Sequence, residues 1–175
     1  RYINDAKISQ AVAAMLSTLF VEAGIKVGRF TSPHLESFNE RICIDNQPIG
    51  DDDVVRAYAR VKAVEGLPRS PTFFEFATAM GFYEFSRQGV AWAIVETGMG
   101  GRLDATNIVA PELSIITNLS LEHKSYLGPT LSAIAREKAG IIKPGVPVIT
   151  GVDQPSALKV ISGKAAESNS PVHRR

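Results

Sequence analysis

Short apolar runs alternate with helical patterns along most of this chain of 175 residues. Alternation of this kind is typical of right-handed βαβ units, whose strands form a parallel sheet covered by helices. We therefore predict an α/β fold with a mostly parallel sheet flanked by helices. The predicted strands are residues 26–30, 91–95, 113–117 and 146–150, with shorter extended pieces at 2–4 and within 42–49, and the predicted helices are residues 12–24, 51–65, 72–87, 131–139 and 155–168.

Residue patterns also predict the faces and turns of these elements. In the first helix, apolar side chains recur every three or four residues, which predicts an amphipathic helix. The residues of this apolar stripe are Val12, Met15, Leu16, Leu19 and Phe20, and Gly24 ends the helix. The two extended pieces within 42–49 are predicted to join at an Asn46–Gln47 turn.

Composition excludes several classes of protein. Nineteen basic residues against eighteen acidic ones give a net charge of +1, and no run of Lys or Arg indicates a nucleic-acid partner. No apolar segment is long enough to span a membrane. Cys43, the single cysteine, is predicted to be a half-buried small hydrophobe, and it fits a reducing, cytoplasmic compartment. The length suits one domain, and because the chain begins with Arg1 we expect it to be part of a longer protein.

A carboxylate and a glycine-rich turn follow the apolar run at residues 91–95. The run is predicted to be a strand buried on both faces, and Glu96 is the first charge after it. Gly98, Gly100 and Gly101 give the next segment conformational freedom. Ligands of open parallel sheets bind at the carboxyl ends of the strands. This stretch is therefore a candidate site, although a strand-to-loop turn with a solvated acid is the simpler interpretation.

Other polar residues are predicted to lie at the same sheet edge. Ser32 follows one strand and could offer a hydroxyl to a metal or phosphate, while His123 follows another and could bind a metal or carry a proton. Together with Glu96 they suit a divalent ion that bridges phosphate oxygens, although Mg²⁺ tolerates imidazole poorly. The simpler interpretations are that Ser32 lies in an ordinary turn and that His123 is an ordinary surface histidine. Lys138 is predicted to lie at the end of a helix, and its simpler role is to cap that helix.

Six motifs follow one another in the chain: residues 31–35, 39–42, 72–75, 96–107, His123 with 127–128, and 136–141. In order and spacing they resemble the dihydrofolate synthase/folylpolyglutamate synthase family, a branch of the Mur-type ligases. The resemblance implies that residues 1–175 are part of an N-terminal or central ATPase-type domain with the P-loop-type fold of Mur ligases. It also implies a further, C-terminal domain that brings glutamate to the site, so the chain alone is expected to be inactive.

The resemblance implies an ATP-dependent amide ligase that uses Mg²⁺. Members of the family activate the carboxylate of dihydropteroate or a (tetrahydro)folate as an acyl phosphate, and the amine of L-glutamate then displaces phosphate. By position, the resemblance assigns the magnesium ligands to Ser32, Glu96 and His123, catalysis to Lys138 and His123, and pterin binding to Thr72, Phe74 and Asp104. Lys138 matches the lysine that these ligases carry in carbamylated form.

One segment departs from the family pattern. Members of the family have a glycine-rich phosphate loop near the first strand, whereas residues 4–11 of this chain contain no glycine. Either the protein has lost ordinary nucleotide binding or this segment differs from the natural sequence, so no nucleotide-binding residues are assigned. Glu122 also stands where the family usually has Asp.

Two other functions stay open. A non-catalytic protein that binds pterin or folate without ATP would explain the missing glycines. A Mur-type ligase with another acceptor is disfavoured by the motifs at 72–75 and 96–107.

Overall fold

The computed structural model describes residues 5–174 of the chain, which form two compact units. We call residues 10–98 the hairpin unit and residues 5–9 with 99–174 the parallel unit. The helices are α1 Asp5–Glu22, α2 Asp51–Lys62, α3 Phe73–Gln88, α4 Lys124–Leu127, α5 Leu131–Lys138 and α6 Pro155–Glu167. The strands are β1 Val27–Phe30, β2 Ile42–Ile44, β3 Gln47–Pro48, β4 Trp92–Val95, β5 Ser114–Ile116, β6 Val148–Thr150 and β7 Val172–Arg174. The strand predicted at residues 2–4 lies outside the described residues.

The hairpin unit contains a four-stranded sheet in the order β3-β2-β1-β4. β1 and β4 are parallel, whereas β2 and β3 form an antiparallel hairpin beside β1. Helix α3 packs against β1 and β2, and helix α2 packs against α3. The buried core of the unit consists of Phe30, Ile42, Ile49, Ala57, Ala77, Met80 and Phe85.

The parallel unit contains a three-stranded sheet in the order β5-β6-β7, and its strands all run in the same direction. Helices α5 and α6 pack together beside this sheet. The buried core consists of Ile116, Leu119, Ile134, Ala135, Ala139, Ile142, Val148, Val152, Ala157, Ile161 and Ala165. The two units confirm the predicted α/β class, in which parallel strands are flanked by helices.

Helix α3 forms where its sequence predicts, with a capping motif at each end. Thr72 and Glu75 make a capping box, in which the Thr72 hydroxyl accepts from the Glu75 N–H and the Glu75 carboxylate accepts from the Thr72 N–H. Gly89 ends the helix with a positive φ of 64°. The buried Glu84 carboxylate accepts from Arg87, which also pairs with Asp53 of α2. This ionic network ties α3 to α2.

The predicted burial of β4 is wrong. Trp92, at the start of the strand, is 43% exposed, and the strand is half-buried at best. Among the described residues, β4 is the end strand of its sheet and pairs only with β1. A short apolar run has the same appearance at the edge of a sheet as in its middle, so the sequence could not show this difference.

The predicted apolar stripe of α1 is only partly buried. Met15 and Leu19 are 69% and 66% exposed, whereas Ala13 and Ser17 are buried. Because apolar residues occur on several sides of α1, their spacing did not select one face. The small side chains of Ala13 and Ser17 suit the packed side of the helix.

The turn of the hairpin is one residue earlier than predicted. Asp45 and Asn46 have φ values of 50° and 66°, so they form the turn, and Gln47 already belongs to β3. Asp and Asn tolerate the left-handed region better than other residues with a side chain. Cys43 of β2 is fully buried rather than half-buried, as a small apolar residue.

The elements that were not predicted include a short helix and a short strand. Helix α4 has four residues and strand β7 has three, and neither is long enough to show a period. No helix within residues 5–174 has the length and apolar composition that crossing a membrane requires.

Candidate active site

Ser32 and Glu96 lie together at the carboxyl ends of two neighbouring strands. Phe30 of β1 pairs with Val95 of β4, so the segments after both strands leave the same edge of the sheet. The Glu96 N–H donates to the Phe30 carbonyl at 2.9 Å, and the Ser32 N–H donates to Glu96 Oε2 at 2.9 Å. The predicted convergence of these two loops is therefore confirmed.

The loop that carries Ser32 is closed by its own residues. Glu40 accepts hydrogen bonds from the backbone N–H groups of Leu35, Glu36 and Ser37, at 2.8 to 3.0 Å. These bonds lower the pKa of the Glu40 carboxyl, since they stabilise its charged form. At the base of the loop, the Thr31 N–H donates to the Arg41 carbonyl at 3.0 Å. Ser32 is thus held in position from both sides.

Arg41, which the sequence analysis did not single out, is a buried cation in this loop. Its residue exposure is 7%, and burial lowers the pKa of its guanidinium. Its Nε–H donates to His34 Nδ1 at 2.8 Å, and the guanidinium carbon lies 5.3 Å from the centroid of the Phe73 ring. From sequence alone, an arginine in a loop is expected to be exposed. Its place in the motif at residues 39–42 was the only available signal.

Asp104 organises the glycine-rich segment after β4. Its Oδ1 accepts from the N–H and the hydroxyl of Thr106, at 3.0 and 2.6 Å, and its Oδ2 accepts from the Met99 N–H at 2.9 Å. The carboxylate thereby joins the two ends of the segment.

The glycine-rich segment packs against the end of α5, where Lys138 is the last residue. A Cβ atom on Gly101 would lie only 2.9 Å from the Glu137 carbonyl oxygen and 3.0 Å from that of Lys138. The Arg102 N–H donates to the same Glu137 carbonyl at 2.8 Å, and Asn107 Nδ2 donates to the Arg102 carbonyl at 3.0 Å. The structure thus brings together the motifs at 96–107 and 136–141, and it requires glycine at position 101.

His123 and Lys138 belong to the parallel unit, whereas Ser32 and Glu96 belong to the hairpin unit. His123 directly precedes α4, is exposed, and has a left-handed backbone with φ 52° and ψ 36°. Lys138 is half-buried. Its position at the helix end also suits the simpler role of complementing the exposed carbonyls.

Thr72 and Phe74, predicted to bind pterin, lie at the start of α3. The Phe74 ring covers Gly98, where a Cβ atom would collide with it, and its centroid is 6.0 Å from that of Phe30. Thr72 lines a cavity of about 350 Å³. The other lining residues are Phe38, Val54, Tyr58, Pro71, Phe73, Phe76, Ala77 and Met80. Phe74 does not line it, because successive residues of a helix point about 100° apart.

The donor set at the Ser32–Glu96 edge suits a hard cation. A carboxylate and a hydroxyl are oxygen ligands of the kind that Mg²⁺ prefers, usually with several waters. The described part of the chain holds no cluster of three or more His, Cys, Asp or Glu residues that could bind a metal. A magnesium site here would therefore rest on few protein ligands, which is typical of ions bound with substrate phosphates.

No family profile matches the chain, but individual proteins do. It is 42% identical to the folylpolyglutamate synthase of Lacticaseibacillus casei over 166 residues, which cover 91% of this chain and 39% of that protein. Identity to the dihydrofolate synthase/folylpolyglutamate synthase of Bacillus subtilis is also 42%, over 167 residues. The chain spans about two fifths of the length of these relatives.

Solved structures agree with these matches. The apo form of L. casei FPGS superposes with a TM-score of 0.90 at 40% identity, over 98% of this chain and 43% of that chain. The FPGS-AMPPCP-folate complex gives 0.91 at 38% identity, and E. coli FolC in complex with ADP gives 0.89 at 34% identity. Over about nine tenths of its length, the chain is therefore a homologue of the dihydrofolate synthase/folylpolyglutamate synthase family.

Proposed function

We propose that the complete protein is an ATP-dependent ligase that adds L-glutamate to dihydropteroate, to a (tetrahydro)folate, or to both. The acceptor carboxylate attacks the γ-phosphorus of ATP, and ADP leaves. The glutamate amine then attacks the acyl carbon and phosphate leaves, so an amide bond forms. The observation that carries this proposal is the Ser32–Glu96 hydrogen bond at the carboxyl edge of a parallel strand pair, in a chain 42% identical to a folylpolyglutamate synthase.

Under this proposal, the described chain provides only part of the active site of the complete protein. We infer that residues 1–175 are part of an ATPase-type domain and that a further domain binds glutamate, since the chain spans about two fifths of its relatives. The chain alone is then expected to be inactive.

Each predicted site residue has a proposed task. Glu96 and Ser32 would hold Mg²⁺, with His123 as a third ligand, and the ion would neutralise charge on the transferred phosphate. The Ser32 N–H orients the Glu96 carboxylate. Lys138 would take part in catalysis in its carbamylated form. Thr72, Phe74 and Asp104 would bind the pterin, at a site whose loop Asp104 already organises.

A second candidate function is a protein that binds pterin or folate without catalysis. The observation that favours it is local: residues 5–11 belong to α1, and none of them is glycine. A helix that starts this early provides no glycine-rich loop around a phosphate. Calorimetry separates the two functions, since binding of the acceptor should respond to Mg-ATP in the ligase and not in the binding protein.

Phosphate release that depends on ATP, glutamate and a pterin acceptor tests the ligase in the complete protein. Glu96→Ala should lower turnover at least 100-fold with little loss of stability, because the proposed metal ligand is removed (about 2.7 kcal/mol, by the usual conversion). Glu65→Ala, which removes an exposed carboxylate from a loop, is the matched control. Turnover that survives in Glu96→Ala would refute the metal role, and a wild type inactive with every pterin would refute the ligase.

A further inference from the structure

The end of α5 is fastened to the loop that carries Asp104. Asn107, which follows this loop, donates from its side-chain amide to two backbone carbonyls, of Arg102 at 3.0 Å and of Gly140 at 3.1 Å. Because carbonyls only accept hydrogen bonds, the amide nitrogen and not the amide oxygen faces them. Arg102 lies two residues before Asp104, and Gly140 lies two residues after the end of α5. One side chain therefore joins two segments that each carry a proposed site residue.

The two joined segments are also packed tightly against each other. A Cβ atom on Gly140 would lie only 2.5 Å from Arg102 Cα, so the two backbones meet with no side chain between them. Beside this contact the Arg102 guanidinium pairs with the Glu137 carboxylate, at 3.1 Å from Nη2 to Oε1. A displacement of one segment is therefore passed directly to the other, because nothing compressible separates them.

The bonds from Asn107 are not needed to end the helix. Local backbone bonds already close α5, since the Ala139 N–H donates to the Ala135 carbonyl and the Ile142 N–H donates to the Ala139 carbonyl at 3.1 Å. Within residues 5–174, the ion pairs do not include Lys138. Where its ammonium can reach then depends on where the backbone at the helix end lies, and Asn107 helps to fix that place.

We propose that Asn107 is a positioning residue that holds Lys138 in place relative to the loop around Asp104. This assignment rests on the proposed ligase function, in which Lys138 takes part in catalysis and Asp104 binds the acceptor substrate. A displacement of about 1 Å can lower the rate of an enzyme about 100-fold, so two hydrogen bonds at this contact can decide kcat. The bonds that Asp104 accepts from Met99 and Thr106 do not involve Asn107, so binding of the acceptor substrate should survive its loss.

The test compares Asn107→Ala with wild type in the complete protein. We expect kcat to fall at least about 10-fold, while KM for the acceptor substrate and KM for ATP stay within about threefold. Thr130→Ala is the matched control, because Thr130 caps the opposite end of α5 by accepting from the Ala133 N–H at 3.2 Å. It weakens the same helix away from Lys138, and its kcat should stay within about twofold of wild type. Equal losses of kcat in the two variants would reduce Asn107 to a role in stability and overturn the proposal.

Asn107→Ser provides a second variant that threatens folding less than alanine. A serine hydroxyl has one hydrogen, so it can serve only one of the two carbonyls. We expect kcat to fall at least about threefold, again with little change in either KM. If only Asn107→Ser folds, its kcat decides, and a value within about twofold of wild type overturns the proposal. A rise in KM for the acceptor substrate at unchanged kcat also overturns it, since Asn107 would then serve binding.

Hydrogen exchange separates failure of this proposal from failure of the ligase. The Arg102 N–H donates to the Glu137 carbonyl at 2.8 Å, and we expect this amide to exchange at least about 10-fold faster in Asn107→Ala but not in Thr130→Ala. Unchanged exchange at Arg102, or equal acceleration in both variants, overturns the proposal even if wild type is active. A wild type without turnover refutes the ligase, and exchange at Arg102 still shows whether Asn107 joins the two segments.

Discussion

Asp104 shows how one side chain can hold a loop in shape beside a proposed substrate. Both of its carboxylate oxygens accept hydrogen bonds inside residues 99–106, and none of the donors could be inferred from the sequence. The residue type and its position after the glycines indicated a site. The contacts depend on the fold of the loop, which residue spacing does not specify.

Replacing Asp104 with Asn tests this local role. An amide nitrogen in place of Oδ2 would face the Met99 N–H, so two donors would oppose each other. We expect the free energy of unfolding to fall by about 1–3 kcal/mol, the cost of a hydrogen-bonding group left without its partner. Urea denaturation measures it, with the exposed Asp153→Asn as control. Equal stability of both variants would contradict the role.

Glu75 gives a prediction on pH. The ion pair with Arg69 and the bond from the Thr72 N–H lower the pKa of the Glu75 carboxyl from 4.5 to about 2. A carboxyl with a lowered folded-state pKa stabilises the fold above its unfolded value, and this contribution is lost as pH falls from about 4.5 toward 2.

Thermal unfolding of Glu75→Gln checks the direction of this pH dependence. The variant should have a lower Tm than wild type at pH 6, and the difference should shrink as pH falls toward 2. The control is Glu65→Gln, which removes an exposed carboxylate from a loop. A Tm difference that is constant with pH would rule out the proposed titration.

At the scale of elements, local signals predicted both ends of α3 well, but they missed the early start of α1 at Asp5 and predicted the surroundings of the elements poorly. Thr72, Glu75 and Gly89 mark the two ends of α3 in the sequence, and the structure confirms both ends. The burial of β4 and the packed side of α1 depend on which neighbours each element meets. Arg41 depends on the same information, because only the folded loop places its side chain in the interior.

The contact between α2 and α3 carries a prediction of its own. Glu84 is fully buried, and its carboxylate accepts from Arg87 Nε at 3.1 and 3.0 Å and from Nη2 at 2.7 Å. Arg87→Ala leaves this carboxylate buried without a counter-charge, so we expect a loss of about 3–5 kcal/mol in the free energy of unfolding.

Arg56→Ala is the control for this contact, because Arg56 pairs with Asp53 on a more exposed side of α2. Its expected cost is below about 1 kcal/mol, as for surface ion pairs in general. Guanidinium denaturation of both variants measures the difference. Similar losses in the two variants would contradict a structural role for the Glu84–Arg87 pair.

At the scale of the whole molecule, the fold class and the homology to folylpolyglutamate synthases could be predicted because the order and spacing of the motifs are visible in the sequence. The proximity of the loops after β1 and β4 followed from one rule on parallel strands, and the hydrogen bond from the Ser32 N–H to Glu96 confirms it. Residues 5–11 are different: they lie within α1, where the family pattern has a glycine-rich loop. The nucleotide side of the proposed site is therefore the part that needs a direct measurement.

Incorporation of isotope-labelled glutamate measures the central claim most directly. The complete protein is incubated with labelled L-glutamate, Mg-ATP and either dihydropteroate or tetrahydrofolate, and the products are analysed by mass spectrometry. The ligase predicts a product heavier than the acceptor by one labelled glutamyl residue, formed only when ATP is present. Absence of this product with both acceptors, while calorimetry shows that the pterin binds, would contradict the ligase and support the non-catalytic binding protein.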